Sequence, residues 1–176
     1  VTGSGAFVLG NTKGENCKAK ITGMTVGKIV DFGLKDSLNM GACMAPAAAA
    51  TIAAHMIDYK SQPEEYDKII TGDLGQVGQR VLLDLLRDKG FDIADRHMDC
   101  GMEIYDAQKQ DTHAGGSGCG CCAVTLSAYI LKQLSEKKWN KVLFVPTGAL
   151  LSKTSFNEGQ TVPGIAHGLV LESLVY

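Results

Sequence analysis

Tyr66-Asp-Lys-Ile-Ile-Thr-Gly-Asp-Leu-Gly-Gln-Val-Gly78 changes its pattern halfway along. Its first six residues carry Ile69 and Ile70 side by side and read as a short strand. After Gly72 the run opens into a loop. Beyond it Val81, Leu82, Leu85 and Leu86 return at helical spacing up to Gly90, which predicts a helix with one apolar face. Strand, loop, helix is the unit of an α/β fold.

Working outward, similar units follow. Asp99 to Asp106 reads as a short extended piece, Ala123 to Leu134 as a helix with Leu126, Ile130, Leu131 and Leu134 on one face, and Lys141 to Val145 as a strand. The stretch from Lys153 to Pro163 reads as a loop, and His167 to Val175 as the last strand. Upstream, Val1 to Leu9 and Lys18 to Asp31 read as strands. Pro46, near a first turn, and the alanine-rich run to Ile57 predict a buried helix closed before Pro63. Alternating strands and helices predict a mainly parallel sheet covered by helices, with an antiparallel edge from the terminal strands.

The chain has 176 residues, 45% hydrophobic and 20% charged, with a net charge of -2. That length supports a core burying roughly two-thirds of the unfolded surface, and the composition excludes disorder. The 17 basic residues are scattered, so no nucleic-acid interface is expected. Ala42 to Ile57 is interrupted by Pro46, Thr51 and His55 and falls short of a membrane span. The opening residues lack a signal-peptide pattern and read as a strand entered in mid-domain, as in a fragment. The six cysteines are expected to be reduced and mostly buried.

The densest chemistry lies in Thr112-His-Ala-Gly-Gly-Ser-Gly-Cys-Gly-Cys-Cys122, which runs straight into a helix. Backbone N–H groups around Gly115, Gly116 and Gly118 would suit an anion there, and the helix dipole favours negative charge. The same glycines would equally permit close packing of the helix on a neighbour. The spacing matches neither a P-loop nor a dinucleotide fingerprint. His97-Met-Asp-Cys100 with Cys119-Gly-Cys-Cys122 approaches a zinc-ligand spacing, but a helix start is a poor knuckle. His113, beside the glycines, serves either an anion site or the loop. Asp73, at the end of a strand, occupies the crevice position of open α/β sheets or caps the following helix. No Ser-His-Asp nucleophile arrangement is apparent.

Five segments in order carry a family resemblance: Gly3-Ser-Gly-Ala-Phe-Val-Leu-Gly10, residues 36–48, Gly72-Asp-Leu-Gly-Gln-Val-Gly78, residues 111–121 and Phe144-Val-Pro-Thr-Gly-Ala-Leu-Leu151. Together the chain resembles the stage V sporulation protein AD family through essentially its whole length. The resemblance implies a thiolase-like α/β fold of two similar five-stranded halves. Residues 1–10 would then be the last strand of the first half. Residues 17–176 would be the C-terminal half, a mixed five-stranded sheet with helices packed on it.

In condensing enzymes similar to that family the nucleophilic Cys belongs to the first half, so none of these six cysteines inherits its role. Gly72-Asp-Leu-Gly-Gln76 stands where those enzymes carry Pro-His-Gln-Ala-Asn, and Gly116-Ser-Gly-Cys119 where they carry Gly-Asn-Thr-Ser. An aspartate repels a developing oxyanion, so condensation chemistry is not expected. No catalytic residue, cofactor or metal enters this expectation. The resemblance implies instead non-enzymatic binding of dipicolinic acid, pyridine-2,6-dicarboxylate, during uptake of its calcium chelate into the developing spore. Gly115, Gly116, Ser117 and Gly118 would meet one carboxylate, with His113 or Lys153 at the other. Ala149 and Leu150 would flank the ring, and Asp73 completes the set. Expected partners are this ligand or its calcium chelate, other SpoVA membrane proteins and a second copy of the chain. The expected place is peripheral, at the spore inner membrane. A thiolase-superfamily acyltransferase and a zinc-bearing interaction module are the alternatives.

Overall fold

A computed structural model of the chain describes every residue except Lys13, Glu15, Val175 and Tyr176. Five strands, β1 (Lys20–Thr25), β2 (Lys68–Thr71), β3 (His97–Asp99), β4 (Lys141–Val145) and β7 (Gly168–Glu172), form one mixed sheet in the order β1-β7-β4-β2-β3. β2 pairs in parallel with β3 and β4, while β7 is antiparallel to both β4 and β1. The expected five-stranded mixed sheet with an antiparallel edge is therefore present. A second, two-stranded sheet joins β5 (Thr147–Ala149) to β6 (Gly164–Ala166).

Strand alternation divides the core in two. Ile69, Leu143 and Val145 face one cluster with α1 (Met40–Tyr59) and α2 (Gly75–Arg87). Ile70, Val142 and Phe144 face the other, with Cys121, Ile130 and Leu134. The latter come from a continuous helical stretch made of α4 (Cys121–Thr125), a π-helical turn (Leu126–Ile130) and α5 (Leu131–Ser135). Ile69, Ile70, Leu82, Leu86, Ile130, Leu134 and Leu143 are all fully buried. Each such side chain contributes about 1.5–3 kcal/mol relative to exposure. α2 matches its apolar spacing and ends before Gly90, whose φ of 86° turns the chain toward β3.

Several expectations are corrected. Residues 1–10 form no strand; Gly3 and Gly5 lie against Val124 and Ala123 instead, and Val8 and Leu9 are exposed. α1 begins at Met40 and holds Pro46 in its interior, because Cys43, Met44 and Ala45 are buried and draw the preceding turns into the helix. Asp99 ends β3 and caps a short helix, α3 (Cys100–Glu103), where an extended piece was expected. The stretch from Lys153 to Pro163, expected as a loop, opens with α6 (Lys153–Asn157), started by reciprocal hydrogen bonds between Ser152 and Ser155. The last strand stops at Glu172, and Val175 lies outside the described residues.

α1 has the length and hydropathy of a membrane span, but 67% of that window is buried inside the domain, as in a core helix. It meets α2 nearly backbone to backbone. A Cβ on Gly41 would strike the Leu74 carbonyl, and one on Gly78 would lie 2.7 Å from the Gly41 oxygen. Apolar residues remain outside on the edge strand and the segment after it, including Ile21, Met24, Val26, Ile29 and Phe32.

Gly41→Ala forces two helix backbones apart and is expected to destabilise the protein by about 1–3 kcal/mol. Urea unfolding checks this; an unchanged midpoint would show that the helices give way without cost.

Candidate functional site

Strand register determines which loops meet. Thr71 lies opposite both Asp99 and Val145, so the three parallel strands end level with one another. The chain leaving them brings Asp73, Gly101 and Thr147 to the same end of the sheet, the crevice side on which α/β folds place ligands.

Asp73 sits half-exposed in the loop after β2. Its Oδ2 accepts from the Gly118 N–H at 3.0 Å and the Ser117 hydroxyl at 3.2 Å, and its Oδ1 accepts from the Thr147 hydroxyl at 3.4 Å. The structure thus brings together three residues singled out in the sequence, Asp73, Ser117 and Gly118. It adds Thr147, which no sequence signal marked. A carboxylate belonging to the protein already occupies the donors expected to receive a ligand.

The neighbouring glycines carry a different role. The Gly115 N–H bonds the Thr112 carbonyl at 2.9 Å, and the Gly116 N–H bonds the Gly101 carbonyl at 2.7 Å. Gly115 and Gly118 adopt φ of 134° and 132°, which folds the segment back on itself. A Cβ on Gly116 would run into Tyr105 and Ile104, and one on Gly120 into Gly3. For Gly115 and Gly116 the structure therefore corrects the expectation of N–H groups open to a ligand: close packing has used them.

The remaining predicted residues stand apart. His113, at φ 50°, is 89% exposed and pairs with Asp111 at 3.2 Å. With Gly115 it lines a recess of about 50 Å³, well below the about 300 Å³ at which ordinary small-molecule sites begin. Lys153 is exposed at the first position of α6. Among the described residues, neither His113 nor Lys153 bonds to Asp73, Ser117 or Gly118. Ala149 packs against the larger core cluster, and Leu150, 41% exposed, hangs from the Pro163 carbonyl. Both follow Thr147 in the chain, Ala149 as the last residue of β5 and Leu150 just beyond it.

Beneath Asp73 lies a buried polar chain that the sequence reading missed. Asp99 accepts from the Thr71 hydroxyl at 2.6 Å, the Leu74 N–H at 2.9 Å, the Gly75 N–H at 3.0 Å and the Gly101 N–H at 3.1 Å. Thr71 has one hydroxyl proton and gives it to Asp99, so it accepts from His97 Nε2 at 3.0 Å. His97 Nδ1 is then the acceptor for the Gln79 amide at 2.9 Å. The available signal was Asp99 itself, a good N-cap ahead of Cys100-Gly-Met-Glu.

This arrangement leaves the zinc alternative without a ligand set. Both ring nitrogens of His97 are used, Cys119 is exposed and Cys100 is fully buried. Burial pushes the Cys100 thiol up, and that of Cys121 to about 12. Among the described residues no group of three His, Cys, Asp or Glu could hold a metal ion.

Burial also holds His97 down, from 6.5 to about 4. Between those values the unfolded chain binds a proton that the fold refuses, so stability falls as pH drops from about 6.5 to about 4 and levels off below. His55, likewise lowered by burial, acts in the same direction. The His97 contribution is about 3 kcal/mol. Urea unfolding of wild type and His97→Gln across this range is expected to show a shallower acid loss in the variant. Parallel curves would remove His97 from the effect.

The model of the stage V sporulation protein AD family matches residues 1–172. Stage V sporulation protein AD of Bacillus subtilis (strain 168) is 48% identical over 172 residues, 98% of this chain and 50% of that protein. The chain thus spans about half the length of the curated relative it matches. Among solved structures, 3-oxoacyl-[acyl-carrier-protein] synthase III from Aquifex aeolicus VF5 is similar at 13% identity and a TM-score of 0.45, over 92% of this chain and 46% of that one. With its family model covering nearly every residue, the chain belongs to the stage V sporulation protein AD family.

Proposed function

We propose that the protein serves sporulation by binding dipicolinic acid, free or as its calcium chelate, without turning it over. The supporting observation is the Asp73 carboxylate, held at the crevice by Ser117, Gly118 and Thr147. Donors that hold one carboxylate have the spacing to hold another. In this reading a ligand carboxylate takes Asp73's place on the Gly118 N–H and the Ser117 hydroxyl, and Ala149 and Leu150 supply apolar surface for the ring. Gly115 and Gly116 shape the turn, while His113 and Lys153 stand at the rim. The ligand comes from the family resemblance; the crevice supplies the chemistry that would suit it.

Asp73 itself argues against condensation chemistry. A carboxylate in the crevice disfavours an oxyanion forming beside it, whereas a preformed donor set suits an anion that arrives already charged. For the same reason it competes with a free diacid. Binding partners among the SpoVA membrane proteins, a peripheral place at the spore inner membrane and self-association through the exposed apolar edge belong to the same proposal.

Calorimetry with dipicolinate on the full-length protein tests this. Asp73→Asn removes the competing charge and is expected to tighten binding roughly three- to tenfold, about 1 kcal/mol. Ser117→Trp fills the crevice and is expected to weaken binding at least about tenfold, and His113→Ala to change it little. Unchanged affinity in both Asp73→Asn and Ser117→Trp removes these residues from the site. Wild type that turns over an acyl-CoA but ignores dipicolinate favours the acyltransferase instead.

A further inference from the structure

We infer that Asp99 is the positioning residue of the crevice: it sets the Asp73 loop and, through Asp73, the Ser117–Gly118 turn. This rests on the binding reading above for its purpose, but not for its geometry. Asp99 is 1% exposed, and its side chain bonds to Thr71, Leu74, Gly75 and Gly101 rather than to Asp73, Ser117 or Gly118. Its two oxygens share four donors drawn from β2, the turn into α2 and the start of α3. Oδ2 takes the Thr71 hydroxyl and the Leu74 N–H; Oδ1 takes the N–H groups of Gly75 and Gly101.

Those donors bracket the crevice. Leu74 and Gly75 directly follow Asp73, and Gly75 makes its turn at φ 62°. On the other side of the loop, the Asp73 N–H points to the Thr147 hydroxyl at 3.4 Å. The Asp73 backbone is thereby fixed before and after its side chain, which leaves the carboxylate aimed at Ser117 and Gly118. Gly101 extends the control to a third segment. Its N–H bonds Asp99 and also the Gly72 carbonyl at 3.1 Å, and its carbonyl takes the Gly116 N–H at 2.7 Å. One buried carboxylate thus ties the loops after β2 and β3 to the glycine-rich turn.

An ordinary helix cap would need only the Gly101 bond. The three further donors are what a preorganised site requires, since a ligand that meets donors already in place does not have to order them. Thr71, locked between Asp99 and His97, holds the carboxylate in this orientation.

Amide exchange followed by NMR on the full-length protein tests the inference without any ligand. In Asp99→Asn, the amides of Leu74, Gly75 and Gly118 are expected to exchange at least about threefold faster relative to those of Leu143 and Val145 in β4. A smaller relative change at Gly118, or uniform acceleration that includes β4, overturns it. Should Asp99→Asn fail to fold, Thr71→Val is read by the same threshold against Thr71→Ser, which keeps the hydroxyl. Acceleration in Thr71→Val alone supports the inference, and equal behaviour of the two overturns it. The dipicolinate titration separates the two proposals. Wild type that does not bind sinks the ligand reading and leaves the exchange result standing, whereas equal binding by wild type and Asp99→Asn overturns the role given to Asp99.

Discussion

The adjacent parallel strands β2 and β4 are buried on both faces, and the rest of the domain is arranged around that constraint. Ile69, Leu143 and Val145 require α1 and α2 on one side; Ile70, Val142 and Phe144 require the helical stretch from Cys121 on the other. A strand pair with no solvated face cannot change register without moving apolar side chains to the wrong layer. Its register therefore fixes the height at which every crossing loop emerges. Because Thr71 lies level with Asp99 and Val145, the loops that follow these residues have to meet.

That meeting point is polar because backbone groups leaving a sheet need partners. Asp99 serves the N–H groups of Leu74, Gly75 and Gly101, and Asp73 serves Gly118. The two carboxylates differ in what surrounds them. Asp99 is enclosed by its donors and is structural in kind, whereas Asp73 is partly open to solvent and its donors are shared with the crevice.

Legibility in the sequence followed the length of each signal. α2 was readable because apolar spacing over its whole length admits one period, and β2 and β4 because each is a compact apolar run. α3 and α6 are four- and five-residue helices set by caps, Asp99 and Ser152, and their periodicity is too short to register. Pro46 misled in the other direction: proline usually sits in a first turn, yet burial of the residues before it carried α1 six residues further upstream. Residues 1–10 have strand composition, but they lie beside the glycine-rich turn, through contacts that only small residues permit.

By itself, the sequence determined the α/β class, the mixed sheet, the family and the presence of an aspartate at position 73 and a glycine-rich turn at residues 115–120. Those properties are local or cumulative along the chain. Only the tertiary structure decided that Asp73 would close on Gly118, 45 positions away, and that Asp99 and Thr147 would join it. It also decided that His113 would stand outside. Pairings of this kind depend on strand register and on the φ values of Gly75, Gly115 and Gly118, and neither is expressed in the spacing of residue types.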